Sequence, residues 1–600
     1  MAKKEAAQAE GDAPGTADTL APTLDDLQHW TGVIGRAQQL MLEYAATQAA
    51  KAPAGFAMPD ISKLLAMPDP ATISFDPARL VDAQADFWKD SLTLWQRLLD
   101  PATAGSALAV TPDRRFAAPQ WQDNPLFDLI RQSYQLLSDH MVRTVGAVDG
   151  LSDKQRDQLL FATRIFTDAI APSNFLATNP LALEKIMATR GESLIRGLEN
   201  LLSDLGRGQL THSDRNAFVM GETIAATPGK VIYETPLFQL IHYTPTTPRV
   251  AAVPLLIFPP WINRFYVLDL NPKKSFVRWA VGQGLSVFMV SWKSADESLS
   301  TIALDDYVAA QIEAIDVVRD LLRVEQVHAI GYCVAGTTFA ATLALLQARN
   351  EAGKVASATF FTAQVDFASA GDLSLFVDDK QLDLVAELAG GKGYLDGRYL
   401  AASFNLLRGR DLIWNYVVQN YLMGEDYPAF DLLHWNGDTT NLPATWHLSY
   451  LRDFYRDNLL VRPGGIVVAG TPIDLTTVMT PAYIQAGRED HIAPAESVWK
   501  ITEHLGGPLR FVLAGSGHIA GVVNPPEAMK YQYWTSDEPA ASLTDFVAQA
   551  RETKGSWWPD WRAWLTARDD REVPAKGARI PGKGRYKAIE DAPGRYVSQR

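Results

Sequence analysis

Between residues 249 and 367 the sequence alternates two textures. "RVAAVPLLIFPP", "GLSVFMVSWK", "QVHAIGY" and "KVASATFFTAQVDF" are short apolar runs that read as strands buried on both faces. The stretches between them, "NPKKSFVRWAVGQG", "TIALDDYVAAQIEAIDVVRDLLRV" and "TTFAATLALLQARN", carry apolar residues at helical spacing. Apolar strands joined by amphipathic helices imply a mostly parallel sheet with helices on both faces. "KVIYETPLFQLIHYTP" adds a strand pair before this set, and "PAYIQAGRED" and "LRFVLAGSGH" add two strands well after it. The intervening segment, about 370–455, is rich in aromatic residues and Asn and reads as an insertion over the C-terminal edge of the sheet, a cap or lid.

The chain has 600 residues, too many for one compact core, so a second domain is expected. Residues 24–215 supply it: "LDDLQHWTGVIGRAQQLMLEYAATQ" and "NPLFDLIRQSYQLLSDHMVRTV" have helical periodicity, with Asn124-Pro125 as a start signal. The proline-rich "MPDPATISFDPARLVDAQADFW" is expected to link two helices. Residues 1–23, rich in Ala, Gly, Pro and acidic residues, read as a disordered tail without the apolar core of a secretory signal. The parallel-sheet domain would then span 216–600, ending in a Gly/Pro-rich, basic stretch expected to be a solvated tail.

The net charge of −14 lacks the basic footprint of a nucleic-acid binder. No apolar run is long enough for a transmembrane helix. A single cysteine excludes an internal disulfide or a Cys-rich metal site and fits a reducing cytosol. Sixteen tryptophans read mainly as core, with room for an apolar surface.

That cysteine, Cys333, stands between a strand and a helix in Gly331-Tyr332-Cys333-Val334-Ala335-Gly336. This is the pattern of a nucleophile elbow, G-x-S-x-G, with sulfur in place of oxygen and Ala335 where glycine is usual. The helix start favours a thiolate, and the Val334 amide can face a developing oxyanion. In an α/β-hydrolase the acid and the histidine follow the nucleophile in that order, on loops after late strands. "IQAGREDHIAP" offers Asp490 and "VLAGSGHIAG" offers His518, 157 residues after Cys333 and 28 after Asp490. His518 would take the thiol proton, and Asp490 would fix the imidazole tautomer. Glu489 and His491 are rivals read as supporting residues. A second oxyanion donor should come from "PPWINRFYVLDL", where Pro259 and Pro260 lack an N–H; Trp261, Ile262 or the Asn263 side chain must provide it.

Several stretches carry a resemblance: "RRFAAPQWQDNPLFD", "PPWINRFYVLDLNPKKS", "GYCVAGTT", "WNGDTTNLP", "AGREDHIAP", "GSGHIAGVVNPP" and "EDAPGRYV". From about residue 113 onward the sequence resembles the class I polyhydroxyalkanoate synthases. The resemblance implies an α/β-hydrolase-like fold and an acyltransferase that polymerises (R)-3-hydroxyacyl-CoA, with 3-hydroxybutyryl-CoA the expected substrate. It implies Cys333 as nucleophile, Asp490 as acid and His518 as base, and a covalent Cys thioester with release of CoA. It also implies no resident cofactor or metal, a homodimer, and a cytoplasmic protein on polyester granules, its helical half serving attachment. Asn263, Arg264, Lys273 and Lys274 are candidates for contacting substrate, the cations through the CoA phosphates. Two rival readings are a Cys-type α/β-hydrolase that cleaves esters or thioesters and a non-enzymatic granule-coating protein on the same scaffold.

Overall fold

The computed structural model describes residues 24–50, 74–99 and 112–599; the expected tail at 1–23 lies outside them. The N-terminal region is helical: α1 (Leu24–Ala50), α2 (Pro77–Leu99), α3 (Pro125–Val145), α4 (Asp153–Ala169), α5 (Pro180–Ala188) and α6 (Glu192–Arg207). Asn124 caps α3, its side chain accepting from the Leu126 amide at 3.0 Å, and Pro125 occupies the first turn. The first residues of the proline-rich segment, 67–73, lie outside the described residues. Its second half belongs to α2, because Pro77 sits where a helix tolerates proline. Among the described residues, Trp88 and Trp95 on α2 are the large aromatic side chains left most open, 64% and 57% exposed.

Among the described residues the central sheet has eleven strands. They are β1 (Gly229–Glu234), β2 (Phe238–Tyr243), β3 (Leu255–Phe258), β4 (Val287–Trp292), β5 (Val327–Tyr332), β6 (Val355–Phe361), β7 (Ala482–Gly487), β8 (Leu509–Ala514), β9 (Gln532–Thr535), β10 (Arg551–Lys554) and β11 (Glu590–Asp591). Their spatial order is β10-β9-β8-β7-β6-β5-β3-β4-β2-β1-β11. From β8 to β4 the pairing is parallel; β1, β2 and β9 to β11 pair antiparallel at the two edges. β2, β3, β4, β5 and β7 are buried along their whole length, which is why they read as continuous apolar runs. Helices α7 (Leu304–Leu322) and α8 (Val334–Ala348) pack on the sheet, and the α/β-hydrolase-like arrangement expected from the alternation is present.

Between β6 and β7 the chain leaves the sheet. This excursion is mostly helical from Gly371 to Arg456, including α9 (Asp379–Ala389), α10 (Gly397–Leu407), α11 (Ala444–Ser449) and π-helical turns. The N-terminal helices grip it: Lys154 donates to the Val377 carbonyl at 2.6 Å, Gln158 to Leu375 at 3.0 Å and Asn200 to Asn420 at 3.0 Å.

The C-terminal stretch is not a solvated tail. Residues 572–574 pair with 249–251, and β11 adds to the sheet edge at β1. Buried Arg579 donates to the Ala251 and Ala252 carbonyls at 3.1 and 2.6 Å, so part of the basic excess ties the strap down.

Candidate active site

The elbow follows from three small residues. Cys333 joins β5 to α8 with φ 53° and ψ −128°, a conformation that costs a non-glycine residue about 1–3 kcal/mol. The turn is held because the Cys333 amide donates to the Phe361 carbonyl at 2.9 Å and its carbonyl accepts from Gly336 and Thr337 at 2.8 and 3.1 Å. Gly331 and Gly336 pack backbone to backbone: a Cβ on Gly331 would lie 2.6 Å from the Gly336 Cα, and one on Gly336 would lie 2.5 Å from the Ala363 Cβ. The tight contact therefore falls at 331 and 336. Ala335 is fully buried, and its carbonyl accepts from Gln311 at 3.0 Å, so alanine fits at the position where the motif usually has glycine.

Asp490 lies on the turn after β7. One carboxylate oxygen accepts from the Ile492 and Ala493 amides at 2.8 and 2.9 Å; the other meets His518 Nδ1 at 2.7 Å. With Nδ1 engaged there, Nε2 is left for the thiol, and Cys333 lies near enough for its charge to act on the imidazole. Burial disfavours the imidazolium, but the charges of Asp490 and of the Cys333 thiolate, with the hydrogen bond to Asp490, push His518 up to about 10. His491, next to the acid, is held low, mainly by its own burial.

Sequence reasoning missed what holds the histidine. Tyr332, one residue before Cys333, donates its hydroxyl to the His518 carbonyl at 3.1 Å. Trp557 and Trp558 of "GSWWPDWRAWL" donate their indole N–H groups to the Gly521 and Val522 carbonyls at 2.8 and 2.9 Å. These tryptophans are core residues, but a buried indole must place its N–H somewhere, and here it fixes the His518 loop.

The "PPWIN" loop is clamped by the "WNGDTTNLP" segment. Thr440 donates to the Trp261 carbonyl at 2.6 Å and accepts from the Asn263 amide at 2.9 Å; Asn263 also gives its side-chain amide to Asn436 at 3.4 Å. The backbone N–H of Asn263 and one N–H of its side chain are thus engaged by the 436–440 segment, and Trp261 and Ile262 remain oxyanion candidates alongside Val334. Arg264 is corrected more sharply. It is 2% exposed, donates to the Tyr596 and Gln599 carbonyls at 3.1 and 2.6 Å, and lies 3.6 Å from Asp438. It anchors the C-terminal strap, its guanidinium engaged by protein groups. Lys274 is paired with Asp431 at 2.9 Å, whereas Lys273 is exposed.

An apolar pocket of about 110 Å³ lies near Cys333, lined by Ile262, by Tyr450 and Tyr455, which feel the charge at Cys333, and by residues of α9, α10 and α11. The π-helical turn Tyr450–Arg456 brings residues five apart onto one side, so the Tyr450 and Tyr455 rings lie 5.5 Å apart. Burial and the negative charge at Cys333 raise both phenols well above the ordinary tyrosine range, so they face the thiol as neutral groups. Among the described residues no cluster of three or more His, Cys, Asp or Glu could hold a metal ion, and no helix is long and apolar enough to cross a membrane.

Comparison with known proteins places this geometry. Residues 112–280 match the profile of the poly-beta-hydroxybutyrate polymerase (PhaC) N-terminus, and residues 261–525 match the alpha/beta hydrolase fold. The poly(3-hydroxyalkanoate) polymerase subunit of Rhizobium meliloti is 44% identical over 534 residues, 88% of this chain and 86% of its own. That of Cupriavidus necator is 44% identical over 540 residues, covering 88% and 90%. Poly(3-hydroxyalkanoate) polymerase 2 of Ectopseudomonas oleovorans is 39% identical over 491 residues, covering 81% and 87%. With this identity along nearly nine-tenths of its length, the chain belongs to the poly(3-hydroxyalkanoate) polymerase family.

Proposed function

We propose that the chain polymerises (R)-3-hydroxyacyl-CoA into polyester, with 3-hydroxybutyryl-CoA as its substrate and a covalent thioester on Cys333. The observation that carries this reading is the His518–Asp490 pair at 2.7 Å, within reach of the charge on Cys333 at a strained elbow. The thiolate attacks the thioester carbonyl, and the oxyanion gathers at the Val334 amide and the Trp261–Ile262 loop. The C–S bond to CoA breaks, and the His518 imidazolium gives its proton to the departing thiolate. The 3-hydroxyl of a second unit then attacks the acyl-enzyme; His518 takes its proton and passes it to the Cys333 sulfur as the ester forms.

Water competes for that second step. We read the helical excursion, about 370–455, as the cap that keeps it out, on a catalytic domain spanning 216–600 behind a helical domain at 24–215. Apolar, aromatic-rich lining near Cys333 supports this. Cytoplasmic location, attachment to polyester granules and a homodimer belong to the same reading, on family membership.

The test uses (R)-3-hydroxybutyryl-CoA. Free CoA and an insoluble polyester should appear together, and Cys333→Ala should abolish both. His518→Gln should slow the first CoA release by about 10²-fold or more. CoA release without polymer would favour a Cys-type hydrolase instead, and normal turnover by Cys333→Ala would overturn the mechanism.

A further inference from the structure

The pocket near Cys333 is apolar except for a few groups, and most of those are engaged. Ser403 donates to the Tyr399 carbonyl at 3.1 Å, Gln381 to Leu375 at 3.4 Å, and the Tyr455 hydroxyl accepts from Gln364 at 3.1 Å. His447, on α11, differs. It lines the pocket and is 4% exposed, yet its Nδ1 has no hydrogen-bond partner. A buried polar atom left unpaired costs about 1–3 kcal/mol, so it calls for a function. The same lining includes Tyr450 and Tyr455, which feel the charge on Cys333, and Ile262, which packs with Cys333 on one core.

Building on the polymerase reading above, we propose that His447 is a specificity-determining residue, hydrogen-bonding the 3-hydroxyl of an acyl chain seated in this pocket. Geometry supports it: the pocket matches the few-atom bulk of a short acyl group, and the only chemical difference between a 3-hydroxyacyl and a plain acyl chain is a hydroxyl next to an otherwise apolar stem. Burial also holds His447 down to about 4, so at neutral pH the ring carries one N–H and one lone pair and can serve a hydroxyl as donor or acceptor. A deoxy substrate in such a site would leave the imidazole unpaired, which is how a polar pocket rejects an analogue.

The experiment measures the first CoA release, in a single turnover of the full chain, from (R)-3-hydroxybutyryl-CoA and from butyryl-CoA, which lacks the hydroxyl. The native chain should prefer the hydroxylated substrate by about tenfold or more. His447→Phe should bring that preference to within about twofold, chiefly by slowing the hydroxylated substrate. His447→Gln, which keeps a donor and an acceptor, should retain most of the preference. If the Phe ring prevents folding, as a thermal melt will show, His447→Leu is read by the same two rates. A His447→Phe or His447→Leu chain that keeps the native preference, or that slows equally with both substrates, overturns the proposal. No CoA release by the native chain from either substrate would sink the polymerase reading itself, and this inference with it.

Discussion

Cys333 can sit at φ 53° only because its neighbours make room and its own amide and carbonyl are both tied. Small size is required at 331 and 336, where added carbons would meet backbone at 2.6 and 2.8 Å. Gly336→Ala should therefore lower stability by about 1–3 kcal/mol and slow acylation, while Ala335→Gly should keep near-native turnover; a thermal melt and a CoA-release assay check both. The His518 imidazolium gives a second residue-scale test. Its folded value of about 10 lies above the ordinary 6.5, so its contribution to stability is complete below about pH 6.5 and lost as pH rises through 10. Asp490→Asn removes the chief charge that raises it. The difference in melting temperature between native and Asp490→Asn chains should be widest near pH 6 and shrink towards pH 10. A constant gap would show that the carboxylate acts by packing alone.

At the scale of elements, legibility followed burial. The inner strands β3 to β8 are apolar and regular, so period and length exposed them, and with them the loops that carry Cys333, Asp490 and His518. The edge strands β9, β10 and β11 are two to four residues long with no clean alternation, and nothing local marked them. The strap was hidden for a related reason: its hold comes from Arg264 reaching Tyr596 and Gln599, and from the strap's own Arg579 reaching Ala251 and Ala252, partners hundreds of residues apart in sequence. Tyr450 and Tyr455 escaped because a π-helical turn spaces them by five, a period no amphipathic pattern reports. Arg264 shows what separates a buried anchor from a phosphate ligand. Arg264→Ala should destabilise the chain by about 3–5 kcal/mol, since it leaves Asp438 and two carbonyls without their cation. It should also open Tyr596–Gln599 to cleavage in limited proteolysis. A raised KM for acyl-CoA with unchanged stability would restore the substrate role.

For the whole molecule the question is how a hydrolase-like relay makes ester in the presence of water. The sheet and elbow alone would serve hydrolysis equally well; what is added is the excursion between β6 and β7, with the N-terminal helices docked on it. That docking is tight at Gly197 of α6, where a Cβ would lie 1.9 Å from the Tyr421 carbonyl oxygen, and Tyr421 gives its hydroxyl to Asp204 at 2.6 Å nearby. Gly197→Ala must push the helix from the excursion without touching Cys333, His518 or Asp490. If the helical region holds the cap shut, the loosened site admits water to the acyl-enzyme. The expected result is a near-native rate of CoA release, with a larger share of product appearing as free 3-hydroxybutyrate and a smaller share as polyester. Chromatography of the soluble acid against released CoA gives that ratio directly. A variant whose ratio matches the native chain, with its melting temperature lowered, would assign water exclusion to the excursion alone.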